Sequence, residues 1–133
     1  MVCVKTKIDR SEIHGIGIFA DEFIAKGTKV WEFTENFDLK YTKQEIESFP
    51  EYIQKYLETY SWLSKKSNKY CLSSDNGKYF NHSKQKQNVQ SYYLDGHDEV
   101  ITYALRDIEI GEELLDDYDS FEENSEQMLK EIK

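Results

Sequence analysis

The stretch that decides the fold is GKYFNHS, Gly77 to Ser83. Its polar triplet, Asn81-His82-Ser83, directly follows two aromatic residues. Polar side chains in such a setting need hydrogen-bond partners once they are buried. Taken alone, the stretch is explained as well by an Asx turn or by a satisfied buried histidine. Its meaning therefore depends on what surrounds it.

Two further motifs lie on either side of this triplet. Upstream, HGIGIFA spans His14 to Ala20, and its glycines let the backbone approach a ligand closely. Downstream, GEELLDDY spans Gly111 to Tyr118 and ends in a tyrosine flanked by acids. Each also has an ordinary structural explanation, namely a glycine turn that enters a strand and a tyrosine packed at a sheet edge.

Together, and in this order, the three motifs resemble the SET domain, the fold of protein lysine methyltransferases. The resemblance covers about residues 4–121, most of the 133-residue chain. It implies a mostly β, α+β fold of several small twisted sheets around a knot-like crossing, or pseudoknot. It also implies a short helical insert at about 42–62. We expect residues 1–121 to form the domain and residues 122–133 a C-terminal helical tail.

The resemblance implies S-adenosylmethionine as the methyl donor and no metal. The early glycine turn would hold the methionine end, the Asn-His pair the amino group and adenine, and Phe121 would stack on the adenine. Tyr118 is the expected catalytic residue at the floor of a lysine channel. Tyr92, Tyr93 and Asp116 are expected on the substrate side. The implied cofactor-binding residues are His14, Gly15, Ile16, Gly17, Asn81, His82, Tyr118 and Phe121.

Methyl transfer to lysine requires a neutral amine, because an ammonium group has no lone pair. Free lysine has a pKa of about 10.4, so neutralising it at pH 7 costs several kcal/mol. A dry aromatic channel and a nearby positive charge would both lower that pKa. On this basis the proton can leave through water, and the sequence indicates no obvious general base.

The chain departs from the family pattern at two places. The Pro-Asn pair that usually follows the triplet is absent, although Asn88 matches it one residue later. The residue two before the final tyrosine, often Phe or Tyr, is Asp116. These departures leave open the number of methyl groups added and a fold that only binds. Two further alternatives are a small globular domain that resembles the family by chance and transfer to a non-lysine acceptor. The zinc-binding cysteine cluster that follows some members is also missing.

The charge of the chain favours a basic partner. It has 17 basic and 26 acidic residues, a net charge of −9, and ten of its acids fall between Asp107 and Glu126 without one Lys or Arg. Such a field repels nucleic acid and attracts cationic proteins. We therefore expect a basic protein substrate, such as a histone-like or ribosomal tail, and no direct nucleic-acid binding.

Cysteine usage and hydropathy predict the compartment. Only Cys3 and Cys71 are present, and no apolar run resembles a signal peptide or a membrane span. Three scattered histidines and two cysteines do not make a structural zinc site. We expect a soluble intracellular protein, cytoplasmic, with the nucleus left open.

Local patterns predict most of the secondary structure. Strands are expected near the N-terminus, at 16–20, 28–33 and 70–72, and as a hairpin, 89–94 with 100–105, around Asp95-Gly96. Apolar residues at spacings of three and four predict helix from Thr42 onward. Thr42 and Glu45 match a capping box, and Pro50 predicts a break into two short helices.

Overall fold

The computed structural model describes residues 1–120. Phe121 and the predicted tail at 122–133 therefore lie outside the described residues. The strands are β1 (Thr6–Arg10), β2 (Ile16–Ala20), β3 (Lys29–Glu32), β4 (Leu39–Tyr41), β5 (Trp62–Leu63), β6 (Tyr70–Leu72), β7 (Asn81–His82), β8 (Val89–Tyr92), β9 (Ile101–Ala104) and β10 (Leu115–Asp116). The α-helices are α1 (Lys43–Glu47) and α2 (Glu51–Tyr60). Within residues 1–120 no helix is long and apolar enough to cross a membrane.

The strands form four small sheets, as predicted for a mostly β fold. β1 pairs with β2, β9 lies between β3 and β8, and β6 lies between β4 and β5, all antiparallel. The fourth sheet is the parallel pair β7–β10. The main core is an apolar cluster in which Ile18, Val30 and Leu114 are fully buried. Residues distant in sequence thus meet in one core.

The helical insert has the predicted caps. The Thr42 hydroxyl accepts from the Glu45 backbone N–H, and the Glu45 side chain accepts from the Thr42 N–H. Pro50 is the N-cap of α2, where its missing N–H costs nothing. The insert ends earlier than predicted, because α2 stops at Tyr60 and Trp62 begins β5.

Packing explains why Trp62 leaves the helix. Its ring meets the Trp31 ring edge-on at 5.4 Å between centroids. The Trp31 indole N–H in turn donates to the Ser73 hydroxyl at 3.1 Å. Aromatic burial of this kind outweighs the small helix propensity of one terminal residue.

A crossing of two segments positions the site. The Ser83 N–H donates to the Asp116 carbonyl, and the Asn88 N–H donates to the Leu115 carbonyl, each at 2.9 Å. Successive carbonyls of a strand point to opposite sides, so β10 lies between residues 81–83 and residue 88. The connecting loop therefore passes over β10, in agreement with the predicted crossing.

The Asn88 side chain holds the crossing together. It is 2% exposed, donates to the Glu113 carbonyl at 2.8 Å and accepts from the Leu115 N–H at 2.9 Å. A buried N–H and a partly buried carbonyl are thereby satisfied without a regular ladder. Asn88 thus makes these two hydrogen bonds without the proline that usually precedes it.

Candidate functional site

Asn81 ties the glycine turn to the C-terminal motif. Its side-chain nitrogen donates to the carbonyls of His14 at 2.9 Å and Ile16 at 3.2 Å, and to Glu113 Oε2 at 3.0 Å. The Ser11 hydroxyl meets both Glu113 oxygens at 2.8 and 2.9 Å. The first and last motifs therefore share one hydrogen-bond network, which fixes the turn at 14–17.

Gly17 allows this network to close. A Cβ built at Gly17 would lie 2.3 Å from Glu113 Oε2 and 3.1 Å from the Ser11 Cβ. Any larger residue would push the carboxylate away from Asn81. Gly17 thus permits the hydrogen bonds that fix the turn. It does not line the cleft, whereas His14, Gly15 and Ile16 do.

His82 and Tyr118 meet at the end of the crossing. The Tyr118 N–H donates to His82 Nδ1 at 2.9 Å, and the two rings lie 5.1 Å apart between centroids. Because Nδ1 is an acceptor here, the ring proton is on Nε2. The Tyr118 hydroxyl donates to the Phe80 carbonyl, which leaves its oxygen as an acceptor.

A cleft of about 490 Å³ opens between the glycine turn and this pair. It is lined by the turn, by Asn81, His82 and Tyr118, and by aromatic residues of α2 and the segment before β7. Its chemistry fits S-adenosylmethionine, since backbone carbonyls can accept from an ammonium group and flat rings can pack on adenine. The size also falls within the usual range of ligand pockets, about 300–1,000 Å³.

A second, smaller cavity of about 70 Å³ lies beside the cleft, and we call it the channel. The two spaces adjoin, since they share five lining residues: Thr59, Tyr60, Lys78, Phe80 and Tyr118. Five aromatic residues line the channel, because Trp31 and Trp62 join Tyr60, Phe80 and Tyr118 there. Among its polar residues, Ser91, Thr102 and Asp116 are linked by hydrogen bonds.

Asp116 is the most unusual group in the channel. It is 3% exposed, and burial raises the pKa of its carboxyl from 3.8 to about 7. Hydrogen bonds from Ser91 and from the Asp117 N–H oppose that rise, and the Asp117 charge adds to it. Asp116 can therefore exchange a proton near neutral pH.

Only one of the three predicted substrate residues lines the channel. Asp116 lines the channel, whereas Tyr92 and Tyr93 are absent from the linings of both channel and cleft. Tyr92 packs on Tyr103 at 6.2 Å between centroids, and the Tyr93 hydroxyl accepts from the Lys65 N–H at 3.0 Å. The stacking role predicted for Phe121 falls outside the described residues.

Sequence reasoning missed several residues that build the site. The aromatic residues Trp31, Tyr60 and Trp62 give no motif, since each comes from a different element, and the quoted GKYFNHS stretch does not show that its Phe80 lines the channel. Glu113 belongs to the quoted GEEL motif, but only the fold shows that it reaches Ser11 and Asn81. Within residues 1–120, no cluster of three or more His, Cys, Asp or Glu could hold a metal ion.

Comparisons with known proteins agree with this architecture. A family model described as SET domain matches residues 15–119. No curated protein matches the chain. A candidate histone methyltransferase of Plasmodium falciparum superposes with a TM-score of 0.61 at 22% identity, over 88% of this chain and 95% of that chain. An inhibitor-bound, humanized mutant of the Chaetomium thermophilum Polycomb Repressive Complex 2 superposes with a TM-score of 0.62 at 21% identity, over 89% of this chain and 15% of that chain.

At these identities the two structures show a common fold. The family match itself spans most of the chain and contains Gly15, the Asn-His-Ser triplet and Tyr118. Of these residues, Gly15, Asn81, His82 and Tyr118 border the cleft, and Tyr118 also borders the channel. The protein therefore belongs to the SET-domain family of methyltransferases.

Proposed function

We propose that the protein is an S-adenosylmethionine-dependent protein-lysine N-methyltransferase acting on a basic protein segment. The observation that carries the proposal is that Tyr118 borders two adjoining spaces. One is large enough for a nucleoside cofactor, and the other is small, with five aromatic residues and one buried carboxylate, Asp116, in its lining. Two reactants that enter from different spaces meet at this tyrosine.

The cofactor would be held by the turn at 14–17 and by Asn81 and His82. When bound, it supplies a methyl group on a positively charged sulfur. The carbonyls of His14 and Ile16 can accept from its ammonium group, although Asn81 already donates to both. Nε2–H of His82 is a further donor at the cleft.

Tyr118 would orient the reacting groups. Because its hydroxyl donates to the Phe80 carbonyl, its oxygen can accept weak C–H···O contacts from a methyl group or an N–H from an amine. Holding the nucleophile in line, about 3 Å from its target, supplies much of the rate enhancement in such a displacement.

A lysine acceptor is favoured by the shape and charge of the channel. Aromatic rings attract cations, and Asp116 adds a carboxylate to the wall. The net charge of −9 attracts basic segments, of which a histone-like or ribosomal tail is an example. We extend the proposal to a cytoplasmic location, which fractionation of expressing cells would test.

The test is methyl transfer from radiolabelled S-adenosylmethionine to core histones and ribosomal proteins, with calorimetry of cofactor binding alongside. We expect labelled lysine, identified by mass spectrometry of the products. Tyr118→Phe should lower turnover about 10²-fold while binding the cofactor nearly as well as the wild type. Binding without transfer would instead indicate a binding module, and absence of cofactor binding would refute the proposal.

A further inference from the structure

The channel contains one buried carboxylate that lacks a cationic partner among residues 1–120. Asp116 forms no ion pair with any of them. Lys78 is the other charged residue of the channel lining, and its ammonium donates instead to the Tyr56 hydroxyl at 2.9 Å and lies over the Tyr79 ring. A buried carboxylate of this kind favours either a proton or a cationic ligand.

The surrounding hydroxyls are arranged to keep Asp116 an acceptor. The Ser91 hydroxyl donates to Asp116 Oδ2 at 2.6 Å, and the Asp117 N–H donates to Oδ1 at 2.8 Å. Because the Ser91 hydroxyl donates its hydrogen to the carboxylate, Thr102 must be the donor in the 2.7 Å hydrogen bond between Thr102 and Ser91. The chain of donors therefore runs from Thr102 through Ser91 to Asp116.

The titratable groups around Asp116 come from several parts of the fold. Asp117 follows it in sequence, His82 is its register partner on β7, and Tyr60, Lys78 and Tyr118 share the channel lining. Burial and the Asp117 charge raise the pKa of Asp116 to about 7, whereas the Ser91 hydrogen bond opposes the rise. A base whose pKa lies near the working pH is the most effective proton acceptor.

We propose that Asp116 is the proton acceptor that converts the substrate's ammonium group into the attacking amine. The inference rests on the proposed function, because it requires lysine to enter the channel. One N–H bond of the ammonium breaks, its electron pair stays on nitrogen, and an O–H bond forms on Asp116. The carboxylic acid returns its proton to water when the product leaves. The departure of this residue from Phe or Tyr thus gives the chain a base that the sequence alone did not indicate.

The test is the pH dependence of turnover in Asp116→Asn, with Asp95→Asn as the matched control. Asp95 is exposed at the hairpin turn, where Asn-Gly supports the same turn as Asp-Gly. We expect wild-type turnover to rise to a plateau with a midpoint near pH 7. Asp116→Asn should be at least about 10²-fold slower at pH 7 and should recover steadily toward pH 10, as lysine itself loses its proton.

An unchanged pH profile in Asp116→Asn, with turnover within twofold of the wild type, would overturn the inference but leave the proposed function intact. Failure of the wild type to methylate any protein would instead refute the proposed function. Should Asp116→Asn fail to fold, the inference is tested instead by following the carboxyl-carbon NMR signal of Asp116 in the wild type as the pH changes. A midpoint for Asp116 near pH 7 supports the inference, whereas one below 5 or above 9 overturns it.

Discussion

Asp116→Asn should stabilise the folded protein, and the gain should grow as the pH rises from 4 to 7. In the folded state burial keeps the carboxyl protonated up to about pH 7, whereas the unfolded chain loses that proton near 3.8. Between these values the unfolded state binds fewer protons, so the free energy of unfolding of the wild type falls as the pH rises. The interval from 3.8 to about 7, at about 1.36 kcal/mol per pH unit, corresponds to at most about 4 kcal/mol.

Urea denaturation of the wild type, Asp116→Asn and Asp95→Asn at intervals from pH 4 to 8.5 would measure this. The quantity of interest is the free energy of unfolding of each variant minus that of the wild type. Subtraction cancels the carboxyls whose pKa values are lowered by hydrogen bonds, such as Asp75 and Glu112. New contacts of the Asn amide add an offset that does not depend on pH.

For Asp116→Asn the difference should rise through the acid range and become constant above about pH 7, while for Asp95→Asn it should stay flat. A flat difference for Asp116→Asn would refute the reasoning, because it would mean that the carboxyl titrates alike in both states. The stabilised variant is also the one we expect to be slow, so the buried acid is retained at a cost in stability.

Two further substitutions test the scaffold of the site. Gly17→Ala should weaken cofactor binding and lower the free energy of unfolding by about 1–3 kcal/mol, since the new Cβ displaces Glu113 from Asn81. The test is a double-mutant cycle with Glu113→Ala, measured by calorimetry and urea denaturation. Additive effects of the two substitutions would contradict this explanation. Asn88→Ala should lower the free energy of unfolding by about 3 kcal/mol in the same denaturation assay, because it leaves the buried Leu115 N–H and the partly buried Glu113 carbonyl unpaired. The exposed Asn76→Ala is its control, and equal losses in the two variants would argue against a special role for Asn88.

Elements specified by local chemistry could be predicted from the sequence. The strand at 16–20, the strand at 70–72 and the capping box at Thr42 have the expected bounds. The hairpin turns at Asp95-Gly96, where Gly96 has a φ of +82°. In each case the signal lies within a few residues, in alternation, in a cap or in a turn residue.

Elements specified by a distant partner could not be predicted in the same way. β5 and β7 are two residues long, too short for any periodicity, and exist because another segment pairs with them. The family resemblance implied the meeting of β7 and β10, but the aromatic wall of the channel and the reach of Glu113 to Ser11 depend on side-chain packing across the whole fold.

The loop that passes over β10 sets the order in which parts of the protein can fold. Ser11 and Glu113, which share hydrogen bonds, are 102 positions apart, and a chain rich in such distant pairings folds slowly. On a ribosome the glycine turn would emerge long before the strand that completes its network. A nascent chain that stops short of Tyr118 therefore cannot close either cavity, and the site should form only once β10 and Tyr118 have emerged.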